Sequence, residues 1–406
     1  MIETAVRGRP AGHPSPPPGE SAGRDPGSLR IAFVTETWHP SVDGIVTRLS
    51  STLAALHRRG HQLMVLAPSG GDPVFEGIPV RAVPSLGISM VYGGKRWGLP
   101  WLGAEKHLEE FRPDLVHAVG PFLLGAAGVR HARRHGLPLV CSYHTRIAAY
   151  ARHYNLGFAE GLAWARLRRL HNAADLNLAA SVSARAEMEA NGIAGVAVWD
   201  GGVDLLNFHP RRGSTAMRQR ITRGHAERPV LLYVGRLAAE KGLEILAPLM
   251  RRRPDLHLAL VGEGPDGERL RQLFAGTNTT FMGALAHHKV AEACASADVF
   301  VFPSRTDTLG LAVLEAMASG LPVLLADGDN GRELLRDPHA GALFDASDGA
   351  SLEARLDGLL ARRLGRWALA EMARRHLSPW ATTADQLLGH YATARARRGA
   401  SPAAQA

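Results

Sequence analysis

Two acids stand eight positions apart in "SRTDTLGLAVLEAMASGLPVL" (304–324), Asp307 and Glu315, with no charged residue between them. A carboxylate inside so apolar a stretch is costly to bury unless hydrogen-bond donors reach it. Paired hydroxyls, such as those of a ribose, are natural donors. The preceding "FVFP" reads as a strand ending at Pro303, so Asp307 falls in a loop and the helix starts near Leu309 or Gly310. The first amides of that helix have no intrahelical partner and carry the positive end of its dipole. Asp307 also fits the ordinary role of an N-terminal cap. Glu315, about 7.5 Å into the helix at about 1.5 Å per residue, does not.

A matching pair of cations precedes these acids. "YVGRLAAEKG" (233–242) puts Arg236 directly after a strand and Lys241 five residues later. A guanidinium fork beside a compact ammonium suits a diphosphate, although either residue alone reads as a solvated surface cation. In "VGEGPDGERL" (261–270), Glu263 sits between glycines, as an acceptor for a hydroxyl or base or as part of a plain turn. In "TETWHPSVDGIV" (35–46), Gly44 precedes a helix, where a glycine lets amides approach a phosphate closely. Taken alone it reads as a turn residue. No G-x-G-x-x-G is recognised, so a nicotinamide-type dinucleotide site is disfavoured.

All these residues fall where strands give way to loops. "LRIAFVT" (29–35), "HQLMVLAP" (61–68), "PDLVHAVG" (113–120) and "LPLVCSYH" (137–144) read as buried parallel strands separated by helical stretches. The rhythm breaks in the polar, turn-rich and positively charged residues 200–230, which read as a linker between domains, and restarts at "VLLYVG" (230–235). It continues through strands near 257–262, 279–283, 298–303 and 321–326. An α/β protein with two doubly wound, Rossmann-like domains follows, its ligands at the C-terminal strand ends. The expected divisions are a disordered tail over 1–28, an N-terminal domain over 29–207, a C-terminal domain over 208–378, a crossover helix over 379–398 and a tail over 399–406.

The 406-residue length suits two cores, and 46% hydrophobic with 21% charged residues excludes a disordered chain. The opening 28 residues have no apolar segment of the secretory type, and no run reaches the roughly 20 residues of a bilayer span. Cys141 and Cys294, far apart, make no disulfide framework, so a cytoplasmic setting is expected, with membrane contact peripheral at most. Histidines in "HRRGH" (57–61), "HARRH" (131–135) and "GALAHHK" (283–289) read as solvated surface and not as metal ligands, so no metal site is assigned. The net charge of +9 favours anionic partners. The basic clusters lack interleaved aromatics, which sets nucleic acid aside; each is a solvated face or a surface for anionic lipid.

Taken together, "GRLAAEKG", "LVGEGPDGERL" and "PSRTDTLGLAVLEAMASGLPV" resemble the retaining glycosyltransferases of the GT-B fold, family 4, over roughly residues 29–395. The resemblance implies two lobes facing across a cleft, with the C-terminal helix packing back on the first. It implies that Glu315 binds ribose hydroxyls and Asp307 the transferred sugar, supported by the amides of Leu309 and Gly310. Arg236, Lys241 and Gly44 would hold the diphosphate, and His144, in "SYHT", would contact the sugar. Asp307 stands where glutamate is commoner, one methylene shorter.

Within the family, long stretches are similar to bacterial sulfolipid synthases, which move sulfoquinovose from UDP to diacylglycerol. GDP-mannose-dependent α-mannosyltransferases look nearly as close, and another UDP-hexose is a further alternative. The donor is then a nucleotide-sugar substrate with no separate cofactor, and the acceptor a lipid at an anionic membrane. Arg146 would meet a sulfonate, while Asp327 and Asp329 in "ADGDNGREL" would oppose one. Trp97, Leu99 and Trp101 are expected to touch lipid or pack in a core patch. An epimerase or phosphorylase of the same architecture, or a non-catalytic nucleotide-sugar sensor, are the other classes. Oligomeric state has no signature in the sequence.

Overall fold

The computed structural model describes residues 27–41, 43–87, 96–99, 103–144, 160–362 and 364–400. The tail expected over 1–28 lies almost wholly outside these residues, and Arg146 and Trp101 lie outside them altogether. Of Trp97 only the backbone is described, in a short hairpin of Ser85–Gly87 with Arg96–Gly98, after which the Leu99 amide donates to the Pro84 carbonyl.

The first sheet has eight strands: β1 (Arg30–Thr35), β2 (Gln62–Pro68), β3 (Val74–Phe75), β4 (Ile78–Val83), β5 (Leu115–Val119), β6 (Leu139–Tyr143), β7 (Leu176–Ala179) and β8 (Val196–Val198). Their order is β8-β7-β6-β5-β1-β2-β4-β3, parallel except for the β3–β4 edge. Successive side chains of β1 enter different cores, Ile31 and Phe33 on one face, Ala32 and Val34 on the other. Burial on both faces is why this strand is apolar throughout and does not alternate. The second sheet is wholly parallel: β9 (Val230–Val234), β10 (His257–Val261), β11 (Thr279–Gly283), β12 (Val299–Phe302), β13 (Val323–Ala326) and β14 (Gly341–Phe344), ordered β11-β10-β9-β12-β13-β14. Strand order reverses beside β1 and beside β9, and these are the crevices where an open α/β sheet takes ligands.

The helices used below are α1 (Gly44–Arg58), α2 (Ala104–Phe111), α3 (Gly125–Arg134) and α4 (Val182–Ala190) in the first lobe. The second lobe contributes α5 (Thr215–Thr222), α6 (His287–Ser296) and α7 (Leu311–Ala318). The last, α8 (Trp380–Gly399), returns to the first lobe, where Ala384, Leu387, Tyr391 and Ala394 pack at helical spacing into the core of Ile31, Phe33 and Leu53. The two chain crossings between lobes pair as short parallel strands, Gly202–Val203 with Ser378–Pro379.

One expectation needs correcting here. Residues 200–230 are not a bare linker, because they contain α5. Its N-cap Ser214 accepts from the Met217 amide at 3.0 Å, and Met217 and Ile221 enter the second core. The signal was a serine cap followed by apolar residues four apart, masked by the surrounding arginines.

Candidate functional site

Lys241 and Asp307, 66 positions apart in sequence, meet beside β9 and β12: the Lys241 ammonium donates to both Asp307 oxygens, at 2.7 and 2.8 Å. Burial pulls the ammonium down, but Asp307 outweighs it and the net displacement is upward. Burial likewise pushes the Asp307 carboxyl up, yet Lys241 holds it below the usual carboxylate range. Both directions favour an ionised pair. Arg236 makes a second, very short pair with Glu240, whose side chain is fully buried. Reading the sequence missed Glu240, although it lies between the two cations in "AAEKG". The cations therefore do not present bare charge, since each is matched by a carboxylate. An ammonium has three donors and Asp307 uses two, which leaves one for a phosphate oxygen.

The loop from Ser304 to Gly310 is braced from below. The hydroxyls of Ser304 and Thr306 lie 3.4 and 3.3 Å from the Glu240 carbonyl. Gly310 caps α7 at φ 68°, and a methyl placed on it would come within 2.7 Å of Leu334 Cδ1. The left-handed φ is what favours glycine there, and any side chain would also have to displace the terminal methyl of Leu334. The first-turn amides of α7 thus emerge beside Asp307, with Leu309 leaning on Gly201 of the interlobe crossing. Thr308 ties this loop to the opposite lobe, its hydroxyl donating to the His144 carbonyl at 2.7 Å.

Glu315, 7% exposed, is met by His287 of α6, whose Nε2 stands 3.1 Å from Oε1. Burial pushes the Glu315 carboxyl up, and His287 only partly counters this. The same hydrogen bond raises the imidazole, which also packs edge-on against Phe208 at 4.9 Å. The donor to Glu315 in this structure is therefore an imidazole, supplied by a "GALAHHK" histidine expected to be plain surface. The other two clusters need the same correction. His61 and His131 are 7% and 3% exposed, and His61 accepts from the Leu29 amide.

His144 directly follows β6 and stands at the head of a buried chain. Its Nε2 is 2.8 Å from Ser142 Oγ, which is 2.8 Å from His117 Nε2, and His117 Nδ1 is 2.8 Å from the Tyr391 hydroxyl on α8. Burial pulls His144 well below its ordinary value and His117 down to about 3, so both imidazoles are neutral at pH 7. Trp199 packs edge-on to His144 and carries the buried Arg48 guanidinium 3.7 Å above its ring. That guanidinium donates to the Trp199 and Asp200 carbonyls at the lobe crossing.

Gly44 opens α1, with Asp43 accepting from the Ile45 and Val46 amides at 3.0 Å. A methyl built on Gly44 meets nothing within 4 Å, so packing within the chain does not demand glycine there. Among the described residues, no hydrogen bond or ion pair joins Gly44 or Glu263 to the Lys241–Asp307 pair. A G-x-G-x-x-G spacing does occur, at Gly262, Gly264 and Gly267 around Glu263. Methyls on Gly262 and Gly264 would come within 2.0 Å of the Gly235 carbonyl oxygen and 2.2 Å of the Leu237 one. Those glycines bring two strand-end loops into backbone contact, which accounts for them without a dinucleotide. Asp327 is held by the Arg332 guanidinium at 2.7 and 3.0 Å, so its charge is compensated and it does not add the bare negative charge expected of it. Asp329 begins the short helix Asp329–Leu334. Glu333, on the same helix, accepts from the Val182 and Ser183 amides of α4, a second tie across the lobes.

Comparison with known proteins identifies the architecture. Residues 42–206 match Glycosyltransferase Family 4, and residues 218–376 match Glycosyl transferases group 1. A GDP-mannose-dependent alpha-mannosyltransferase of Mycolicibacterium smegmatis is 35% identical over 91% of this chain and 99% of its own. A sulfoquinovosyl transferase of Arabidopsis thaliana is 33% identical over 86% of this chain and 71% of its own. Among solved structures, Anabaena HepE in complex with UDP and glucose superposes with a TM-score of 0.72, covering 90% of this chain and 99% of that one at 19% identity. With two parallel α/β lobes joined by paired crossings and matched in both halves, the chain belongs to the family 4 glycosyltransferases of the GT-B fold.

Proposed function

We propose that this glycosyltransferase moves a hexosyl group from a nucleoside-diphosphate sugar to a lipid acceptor with retention of anomeric configuration. The observation that carries the reading is the ionised Lys241–Asp307 pair, set beside Arg236–Glu240 at the N-terminus of α7 and tied through Thr308 to His144 across the cleft. In this reading Glu315 accepts from ribose hydroxyls and Asp307 from sugar hydroxyls. The free donor of Lys241, the Arg236 fork and the amides of Leu309 and Gly310 hold the diphosphate. Gly44 meets the same phosphates from the other lobe, His144 faces the sugar as a neutral imidazole, and Glu263 meets the base or a hydroxyl. The bond between anomeric carbon and phosphate oxygen breaks as charge develops on the diphosphate. The fixed cations and amides stabilise that charge without reorganising. A donor phosphate oxygen takes the proton of the acceptor hydroxyl as the new glycosidic bond forms on the same face. In this reading no metal is required: the remaining Lys241 donor, the Arg236 guanidinium and the α7 amides meet the diphosphate oxygens directly, as oriented donors rather than as bare charge.

For the donor, near full-length likeness to mannosyltransferases favours GDP-mannose. UDP-sulfoquinovose is the second reading, since pairing of Asp327 with Arg332 removes one charge that would repel a sulfonate. Assaying GDP-mannose, UDP-sulfoquinovose and UDP-glucose by mass spectrometry, against diacylglycerol and phosphatidylinositol, tests both. Turnover is expected with one donor and a lipid. Hydrolysis without transfer, or no turnover at all, would overturn the reading, and epimerised donor would indicate the rival class. For a lipid acceptor, the helix Glu160–His171 exposes Leu162 (72%) on the same side as Arg166 and Arg169, at i+4 and i+7, a face suited to anionic headgroups. No helix among the described residues is long and apolar enough to cross a membrane, so such contact would be peripheral.

The buried chain to Tyr391 gives a milder test. Tyr391→Phe keeps the ring in its core but removes the hydroxyl that holds His117, and through Ser142 holds His144. A buried partner left unsatisfied costs about 1–3 kcal/mol. The expected result is a melting temperature lower by a few degrees and a kcat lower by roughly threefold to tenfold, with the donor KM changed less. An unchanged kcat would show that α8 does not position His144.

A further inference from the structure

Away from the cleft, α2 and α3 bring together three side chains that the glycosyl transfer does not use. His131, in the last turn of α3, is 3% exposed, and its Nδ1 lies 3.1 Å from Glu105 Oε1 of α2. His135, four residues on, places Nε2 3.6 Å from the same oxygen. The three donor atoms all lie within 4.8 Å of one another. We propose that Glu105, His131 and His135 form a binding site for a divalent transition-metal ion with the ligand preferences of zinc.

Two imidazoles and a carboxylate make a donor set that suits such an ion, with one position left for water. Metal–ligand distances of about 2.0–2.1 Å in a tetrahedron set donor atoms about 3.3 Å apart. The two Glu105 distances, 3.1 and 3.6 Å, bracket that value, and the His131–His135 donor distance, within 4.8 Å, closes to it by rotation of the exposed His135 side chain. Residues four apart project from one side of a helix, and the C-terminal end of α3 carries partial negative charge that favours a cation. Arg134 Nη1 lies 3.3 Å from Glu105 Oε1, but its side chain is 61% exposed. Such a surface pair contributes about 0–1 kcal/mol, little against metal coordination, and Arg134 is free to swing into solvent.

The position argues for a structural ion. β6 starts at Leu139, just after His135, so the cluster lies at the entry edge of the strand whose exit carries His144. An ion there fastens α2 to α3 and does not touch the reacting atoms.

The test uses full-length, tag-free protein stripped with a chelator and titrated with Co2+. The expected result is the visible absorption of tetrahedral Co2+ saturating at one ion per chain at micromolar concentration, then bleached by Zn2+. Zn2+ should also raise the melting temperature by several degrees, because it binds the folded chain alone. His131 is buried and its removal risks the fold, so the deciding variants are His135→Ala and Glu105→Gln. Each should abolish the absorption band and the thermal shift while leaving circular dichroism and glycosyl transfer unchanged. Absence of the band and the shift in the wild-type chain overturns the proposal, as does a band that survives in His135→Ala.

Discussion

Lys241→Ala is expected to lower kcat by roughly 10²–10³-fold, the usual loss when one preorganised partner of developing negative charge is removed. The lysine has two tasks in one place. Two of its donors hold Asp307, and the third is available to the leaving diphosphate. Alanine therefore removes a phosphate contact and also releases the carboxylate that would meet the sugar. Asp307 is left buried without its main counter-charge, and breaking such a pair costs about 3–5 kcal/mol when fully buried. At 11% and 22% exposure the pair is nearly so, and a lower melting temperature should accompany the loss of turnover. Calorimetry separates the two effects. If the variant is still folded at the assay temperature and its turnover stays within threefold of wild type, Lys241 does not stabilise the leaving group. Lys241→Arg retains the charge but replaces a compact ammonium with a longer planar fork, and should recover only part of the rate.

The same pair shows what the sequence could and could not reveal. Strand–helix alternation marked both sheets, because parallel strands buried on both faces are unmistakably apolar, as in "RIAFVT" and "VLLYV". The loop and helix around Asp307 and Glu315 were equally plain, since acids in an apolar stretch stand out. Pairings between distant residues were not legible. Nothing local shows that Lys241 spends two donors on Asp307, or that Arg236 is matched by a buried Glu240. His287 reads as surface from its polar neighbours, yet the packing of α6 beside α7 turns it onto Glu315. The chain from His144 to Tyr391 spans 247 positions and depends on α8 returning to the first lobe, which only the tertiary fold specifies. Helix α5 was lost for the opposite reason, because arginines and turn residues obscured two apolar positions.

Glu315→Gln, which keeps one acceptor oxygen but loses the charge and the second acceptor, should raise the donor KM and lower kcat/KM by about 10–10³-fold. Hydrogen bonds to a charged group contribute about 1.5–3 kcal/mol each, two ribose hydroxyls would donate here, and about 1.4 kcal/mol is a factor of ten. Glutamine matches the shape of glutamate, so α7 stays packed and the change isolates the charge and that acceptor. Acidity provides a second readout. Burial raises the Glu315 carboxyl, so on acidification it takes up a proton at higher pH than an exposed glutamate would. The carboxylate is the form that accepts from both hydroxyls, hence wild-type donor KM should climb as pH falls through that raised value. Glutamine does not titrate, so the variant's acid limb should flatten. His287 reports on the same contact from the protein side. Its imidazole is raised chiefly by the hydrogen bond to Glu315, and in the variant its NMR titration should move to lower pH. A wild-type KM profile in Glu315→Gln, together with a shifted His287 titration, would mean that Glu315 orders α6 against α7 but does not bind the nucleotide.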